Sequence, residues 1–495
     1  MTRRRAVALA GMALAQTALA GCNLGPFYQR PALDIPPAFV ATADTAEAAW
    51  PPEEWWRNFK SPELDALIAS ARAYNNDLGA AVARVVQADA QVRISGAPLL
   101  PALNAVGSDN YQRIGLSGSR GGGSTNFVID PVTGQVIGGG SGQTRRYADS
   151  RTYSGTLQVS YDLDFWGRNR ALAQAAQATA VATRFDQVTV ALTVVTSVAN
   201  TYFQVLAAQD RLATAVRNLR DAEHILGAFQ ARLTVGTANA LDVSQQEALT
   251  AGQRAALPSL RNQIEQQRIA LGILTGVPPE RLLVVGGSLE KLPLPLVAPG
   301  LPSELLARRP DVANAEAQLV AENANVRAAR AAFFPSVQLT ASGGLTSNVL
   351  AAITGPGTLV AQLAGNLTQA IFDNGLRRGQ FDQAKGRYDE LLAGYRRAVL
   401  QSFTDVEQSL AALRYTTEQE TLERQAIAVA QRSADIARAQ LQAGTIDIVT
   451  SLNTQVTLYN DLDLLTQIRL AQFQALVNLY KALGGGWSQA AGIGL

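Results

Sequence analysis

Few side chains in this 495-residue chain could do chemistry. There is one cysteine, one histidine and two methionines. Met1 and Met12 both lie in an apolar N-terminal leader, so from residue 22 onward the soft and imidazole metal ligands reduce to Cys22 and His224. No built metal site is expected from that inventory. His224 stands in the helical stretch RNLRDAEHIL, where a surface or packed helix position accounts for it. No Gly-x-Ser-x-Gly, phosphate loop or dinucleotide fingerprint occurs in a strand-turn-helix context. Pairs of Asp and Glu are many, but any helix-rich protein has them. The residues support no enzyme and no soluble cofactor.

Cys22 is the exception. Arg3, Arg4 and Arg5 precede a run from Val7 to Ala20 that is apolar or small except at Gln16 and Thr17. That is the n-region and h-region of a secretory signal, too short for a bilayer-spanning helix of roughly 20 residues. An exported thiol normally pairs, yet Cys22 has no partner in the chain. Leu19-Ala20-Gly21-Cys22 resembles the lipobox of bacterial lipoproteins, in which cleavage precedes the cysteine and its thiol and amine are acylated. More than one acyl chain gives stable anchoring. The alternative is a free thiol just past an ordinary cleavage site. In lipoproteins an Asp after the cysteine tends to retain the protein at the inner membrane; Asn23 leans toward the outer one.

Without residues 1–21 the chain carries 39 basic and 40 acidic residues, which is no footprint for nucleic acid. Self-comparison reveals two copies of one unit. Asp77–Pro101 aligns with Asp311–Pro335 at a constant offset of 234, and Phe165, Gly236 and Gly276 align with Phe372, Gly444 and Gly484 at 207 or 208. The first copy therefore holds 27 extra residues, in or beside the Gly-rich stretch near 114–146.

The copies run from 63 to 276 and from 303 to 484, with a Pro/Gly-rich linker over 277–302 expected to pack on the outside. Signal residues 1–21, an N-terminal segment 22–62 and a tail 485–495 complete the chain. Each copy opens with a helix, Leu64–Gly96 or Ser303–Phe333. Two strands follow, at 102–113 and 152–165 and then at 336–346 and 359–372. A long helix comes next, at 169–233 or 376–442, then a tip turn at 234–240 or 443–446, then a second helix at 241–275 or 447–483.

The strands carry the sharpest pattern. Tyr153, Gly155, Leu157, Val159, Tyr161, Leu163 and Phe165 alternate with Ser154, Thr156, Gln158, Ser160, Asp162 and Asp164. Val337, Leu339, Ala341 and Leu345 alternate with Ser336, Gln338, Thr340 and Ser342. Such alternation over about ten residues fits a transmembrane β-strand. A half-exposed strand of a soluble sheet shows it too; the lipid anchor and the long helices favour the membrane. Four strands cannot close a barrel, and open sheet edges are not tolerated in lipid, so spanning strands require more than one chain.

The proline-free stretch from Asn169 to Leu233 would extend about 100 Å as a helix. Leu192, Val195, Ala199, Tyr202, Leu206, Leu212, Val216, Leu219, Leu226, Phe229 and Leu233 step by threes and fours along most of it, as a coiled-coil seam does.

Taken in order, GCNLGPFYQRP, WWRNFKSPELDALIASARAYNNDLGAAVARVVQA, YDLDFWGRNR and NLYKALGGGW resemble TolC-like outer-membrane efflux channels of the lipoprotein branch, the OprM/NodT type. The resemblance covers essentially the whole mature chain. It implies a mixed α/β membrane protein: a homotrimer whose transmembrane barrel of twelve β-strands continues as a periplasmic barrel of twelve helices. It implies a Gram-negative outer membrane, a covalent lipid on Cys22, a periplasmic adaptor (membrane fusion protein) and an inner-membrane transporter of the resistance-nodulation-division class. The function implied is a passive exit duct for drugs or other small molecules. Alternatives are a type I protein-secretion duct, a metal-efflux duct or, from another class, a structural periplasmic coiled-coil lipoprotein.

The resemblance also assigns adaptor docking to the tips, here Arg232, Gly236, Thr237, Gly444 and Thr445, with Gln440 in place of a second arginine. Periplasmic closure in the family often uses acidic rings, but the matching positions are the neutral Thr450 and Asn453. Asp242 and Asp447 near the tips, or Asp461 and Asp463 higher up, could supply charge instead. A solvated helix face is the plainer reading of these four.

Overall fold

The computed structural model describes residues 28–33, 35–36, 38–39, 50–116, 146–295, 297 and 302–487. The signal, Cys22, most of the Gly-rich stretch and the last eight residues lie outside them. The chain divides into two compact units, each drawing on both sequence repeats. One contains Ile94–Ala173 and Arg327–Phe381; the other contains Pro26–Arg93, Gln174–Val326 and Asp382–Leu495.

The first unit is built on a four-stranded antiparallel meander: β1 Ala102–Leu116, β2 Arg146–Leu163, β3 Ser336–Ser347 and β4 Leu359–Thr368, hydrogen-bonded in that order. Its outer strands β1 and β4 each have one neighbour. The register sets Leu103 opposite Val159, Tyr161 opposite Leu339 and Ala341 opposite Leu363, so most of the large apolar residues share one face, with Val106, Ile114 and Val360 on the other. Among the described residues nothing covers the face that holds Leu103. Leu157 is 56%, Leu359 77%, Leu363 81% and Leu367 71% exposed. A soluble sheet would bury such a row. At Gly344 a Cβ would collide with the carbonyl oxygen of Gly155 on β2, so glycine sets the closeness of that pairing.

The YDLDFWGRNR motif makes the turn from strand to helix. Asp164 accepts hydrogen bonds from the backbone amides of Asn169 (3.1 Å) and Arg170 (2.8 Å), satisfying donors at the start of the next helix. Gly167 has φ of 73°. The Trp166 ring stacks on Phe334 at 4.8 Å, and its indole N–H donates to the Pro335 carbonyl at 2.8 Å. In the second copy Asp373 accepts from the amides of Gly375 and Arg377 in the same role.

The helices are α1 Pro62–Tyr74, α2 Asn76–Gly96, α3 Arg168–Thr234, α4 Ala240–Thr275, α5 Pro302–Leu305, α6 Pro310–Ala331, α7 Leu376–Ala443 and α8 Ile448–Ala482. Several boundaries differ from the sequence reading. The first helix breaks at Asn75, whose extended backbone lets its side chain accept from the Leu78 amide and donate to the Leu274 carbonyl. Its counterpart in the second copy breaks before Pro310, which can start a helix but lacks the N–H needed inside one. Strand β2 extends back to Arg146 and stops at Leu163, because Asp164 is taken by the helix cap. Strand β4 stops at Thr368 rather than 372; Ile371 and Phe372 stand exposed beyond it.

The second unit has two main apolar clusters. In one, Trp55 stacks on Tyr480 at 4.7 Å, and Phe59, Phe203 and Phe473 pack within 5.7 Å of one another. Each fully buried ring of this kind contributes roughly 1.5–3 kcal/mol. The linker is not merely laid outside, since Leu282 and Leu289 are buried in this cluster. In the other, Tyr395, Val399, Phe403 and Leu479 are joined by Tyr28, Leu33 and Phe39 of the N-terminal segment. Arg30 forms an ion pair with Glu316 on α6.

Buried charges are paired. Arg309 donates to Asp311 (2.9 and 2.6 Å) and to Asp405 (2.8 Å). Burial pushes the Asp311 carboxyl up, but the bonds from Arg309 outweigh it and leave it below its ordinary value. Arg469 on α8 bridges Glu420 on α7 (3.3 Å) and the Leu289 carbonyl of the linker (3.3 Å).

Candidate functional site

The predicted docking residues come together at two helix-turn-helix tips of the second unit. At the α3–α4 tip the Gly236 amide donates to Leu233 O (3.0 Å) and the Thr237 amide to Arg232 O (2.8 Å). At the α7–α8 tip the Gly444 amide donates to Leu441 O (3.2 Å) and the Thr445 amide to Gln440 O (3.0 Å). Both threonine hydroxyls add a second bond to the same carbonyl, at 3.1 Å each. Gly236 and Gly444 have φ of 74° and 72°, the left-handed conformation that ends a helix. A Cβ at either would meet nothing within 4 Å. The need for glycine inside the chain is therefore conformational, and the space beside each tip is open. Val235 is 72% and Leu241 64% exposed there.

The two tips touch. Phe229, Val243 and Ile448 form a small apolar cluster with Ile225, Leu226, Leu441 and Leu452 packed around it. Arg232 donates to the Gln442 carbonyl at 3.3 Å, tying the first tip to the second. A cavity of about 250 Å³ opens beside them, lined by residues including His224, Arg232, Arg438 and Ser451.

The candidates for closure divide by local role. Asp242 and Asn239 form a capping box: the Asp242 amide donates to the Asn239 side chain at 2.9 Å, and the Asn239 amide returns the bond at 3.4 Å. Asp447 caps α8, accepting from the Thr450 amide at 2.8 Å and the Thr450 hydroxyl at 2.9 Å. Those bonds hold the Asp447 carboxyl below its ordinary value. Asn453 is exposed. Further from the tip, burial and then the nearby Asp461 carboxylate of α8 push the Glu423 carboxyl of α7 up.

Asp463 accepts from Arg211 at 2.6 and 3.1 Å, joining α8 to α3, while Arg211 also reaches Gln263 on α4 at 3.4 Å. This link borders a cavity of about 710 Å³, lined by residues including Asn218, Gln253, Tyr459 and Asn460. The sequence reading missed the link, because Arg211 and Asp463 are 252 residues apart. The Asn239 cap left a signal, an Asn-x-x-Asp spacing before an apolar-periodic run.

The chain matches the outer membrane efflux protein family over residues 67–277 and 301–485. It is 41% identical over 437 residues to the pyoverdine export outer membrane protein OpmQ of Pseudomonas aeruginosa, covering 88% of this chain and 87% of that one. It is 34% identical to the probable efflux pump outer membrane protein TtgC of Pseudomonas putida, over 97% of this chain and 96% of that one. The fold superposes on a crystal structure of a membrane protein from Pseudomonas aeruginosa with a TM-score of 0.82 and 28% identity, covering 94% of this chain and all of that one. A sheet with an uncovered apolar face, paired helical tips and matches over nearly the whole length agree: the chain belongs to the outer membrane efflux protein family and is an efflux duct of the Gram-negative outer membrane.

Proposed function

We propose that three copies of this chain close a twelve-stranded barrel in the outer membrane, anchored by lipid on Cys22, with the helices carried on into the periplasm as a twelve-helix tunnel. The observation that carries this reading is the four-stranded sheet with an exposed apolar face and two open edges. Hydrocarbon offers no partner for the free edge groups, so β1 of one copy must pair with β4 of the next. The meander makes that junction antiparallel like every other.

The duct is passive in this reading. A periplasmic adaptor docks on the tips, around Gly236, Thr237, Gly444, Thr445 and Arg232, and an inner-membrane transporter of the resistance-nodulation-division class supplies the energy. Exposed Val235 and Leu241 beside the tip glycines support a protein partner there. The cargo is small organic molecules, which the pyoverdine-exporting relative supports. Native mass spectrometry of protein extracted in mild detergent tests the assembly. Three mature chains, each starting at Cys22 and carrying acyl groups, are expected. A lone unmodified chain, under conditions that preserve other membrane oligomers, would overturn it.

A further inference from the structure

The face of the sheet opposite the apolar one has an unusual charge distribution. The register places Asn104, Ser108, Asn110 and Gln112 of β1 beside Ser150, Thr152, Ser154, Thr156, Gln158 and Ser160 of β2. Gln338, Thr340, Ser342 and Thr346 of β3 and Gln362, Asn366 and Thr368 of β4 continue it. Amides and hydroxyls outnumber the apolar Val106, Ile114, Val360 and Ala364 that share this face. Among residues of this face whose side chains are described, Asp162 alone carries a charge.

The other charged side chains described on the strands lie on the opposite face and are paired. Arg113 donates to Asp149 at 2.7 and 2.9 Å, and Arg151 to Asp109 at 3.0 and 2.6 Å. Beyond the end of β2, Asp164 is occupied by the cap of α3 and by Arg170. Asp162 is exposed, sits opposite Gln338, and forms no hydrogen bond or ion pair with a described residue. The position 207 residues later, its match in the second copy, is Gln369. Among the described side chains of this face, Asp162 is thus one unpartnered carboxylate on a neutral wall, one residue before β2 ends.

We propose that Asp162 is the charge-selective element of the duct wall where strands give way to helices. This rests on the trimeric reading above, under which the polar face lines the lumen. Three-fold symmetry then sets three Asp162 carboxylates around one aqueous opening, with no other described charge at this end of the face; Arg146 shares the face by register but stands at the opposite end of β2. Like charges facing a confined aqueous path raise the local concentration of cations and exclude anions. Cationic and zwitterionic cargo passes this level more readily than polyanionic cargo, while the amide and hydroxyl wall beyond it discriminates little by charge.

The test is a thiol-reactivity measurement on the full-length, membrane-inserted protein carrying Ser160→Cys, on the same face two residues before Asp162. Membrane-impermeant cationic and anionic thiosulfonate reagents are compared, with the chain lacking Ser160→Cys as the blank. The cationic reagent is expected to react faster. Adding Asp162→Asn should lower the cationic-to-anionic rate ratio by about fivefold at low ionic strength, with the difference fading near 1 M salt as screening shortens to a few ångströms. A ratio unmoved by Asp162→Asn would overturn the inference and leave the duct reading intact. A cysteine that reacts only with a lipid-soluble reagent would put this face in hydrocarbon and overturn the duct reading itself.

Discussion

At single residues the same side-chain types do different work according to what surrounds them. Gly236 and Gly444 lie in open space, so replacing either with valine meets no clash; it forces a β-branched residue into a left-handed conformation at about 1–2 kcal/mol. The expected result is a trimer of normal mass with lost efflux, read as drug accumulation in cells. Wild-type accumulation would remove the docking role of the tips. Asp447 has its folded pKa depressed by the bonds from Thr450. Its capping contribution is therefore present above the unfolded carboxylate value, near pH 4, and is lost as pH falls through the lower folded value. Hydrogen exchange at Val449–Ser451, corrected for intrinsic rates, should show protection at pH 6 that weakens as pH falls through the depressed folded value. Asp447→Asn, which keeps the cap without titrating, should flatten that dependence. Arg309 is the opposite case, its side chain 9% exposed between two carboxylates. Arg309→Ala leaves Asp311 and Asp405 facing each other and should cost about 3–5 kcal/mol, seen as a lower unfolding temperature. Joint replacement of both acids by Asn should recover much of it.

At the level of elements, alternation and periodicity were legible because each has a fixed physical period. Tyr153 to Leu163 alternated in the sequence and lies in β2; Val195, Ala199, Tyr202 and Leu206 stepped along a seam and are buried in α3. What stayed hidden depended on partners distant in sequence. The break at Asn75 exists because its side chain meets Leu274, 199 residues away. The early end of β4 and the burial of Leu282 and Leu289 in the linker also had no local mark. The two faces of the sheet make a sharp test. Leu363 and Gln362 are neighbours on β4 pointing oppositely. In the proposed barrel Leu363→Arg turns a charge toward lipid, at about 2–4 kcal/mol if near the midplane, and should reduce assembled protein in the outer membrane, measured by membrane fractionation. Gln362→Arg should assemble normally.

For the whole molecule, the two-copy plan was visible from offsets in the chain, and the proposal of a shared barrel starts from the same four strands per chain. The ties between copies were not visible there. Arg211 to Asp463, and Arg232 to the Gln442 carbonyl, join the first hairpin to the second, and no spacing in the sequence announces either. The unpaired rims β1 and β4 have a further consequence. In the proposed barrel one rim joins the other of a neighbour, so the contact is head-to-tail, and a ring completes only when every member offers both rims. A subunit with a sound β1 and a β4 blocked by proline, at amides pointing away from β3, would enter a ring and stop it. Expressed in equal amount with the normal chain, such a subunit should poison assembly, leaving roughly one ring in eight intact if mixing is random. An assembly closed in this way makes the gene vulnerable to dominant-negative alleles, even when half of the protein made is sound.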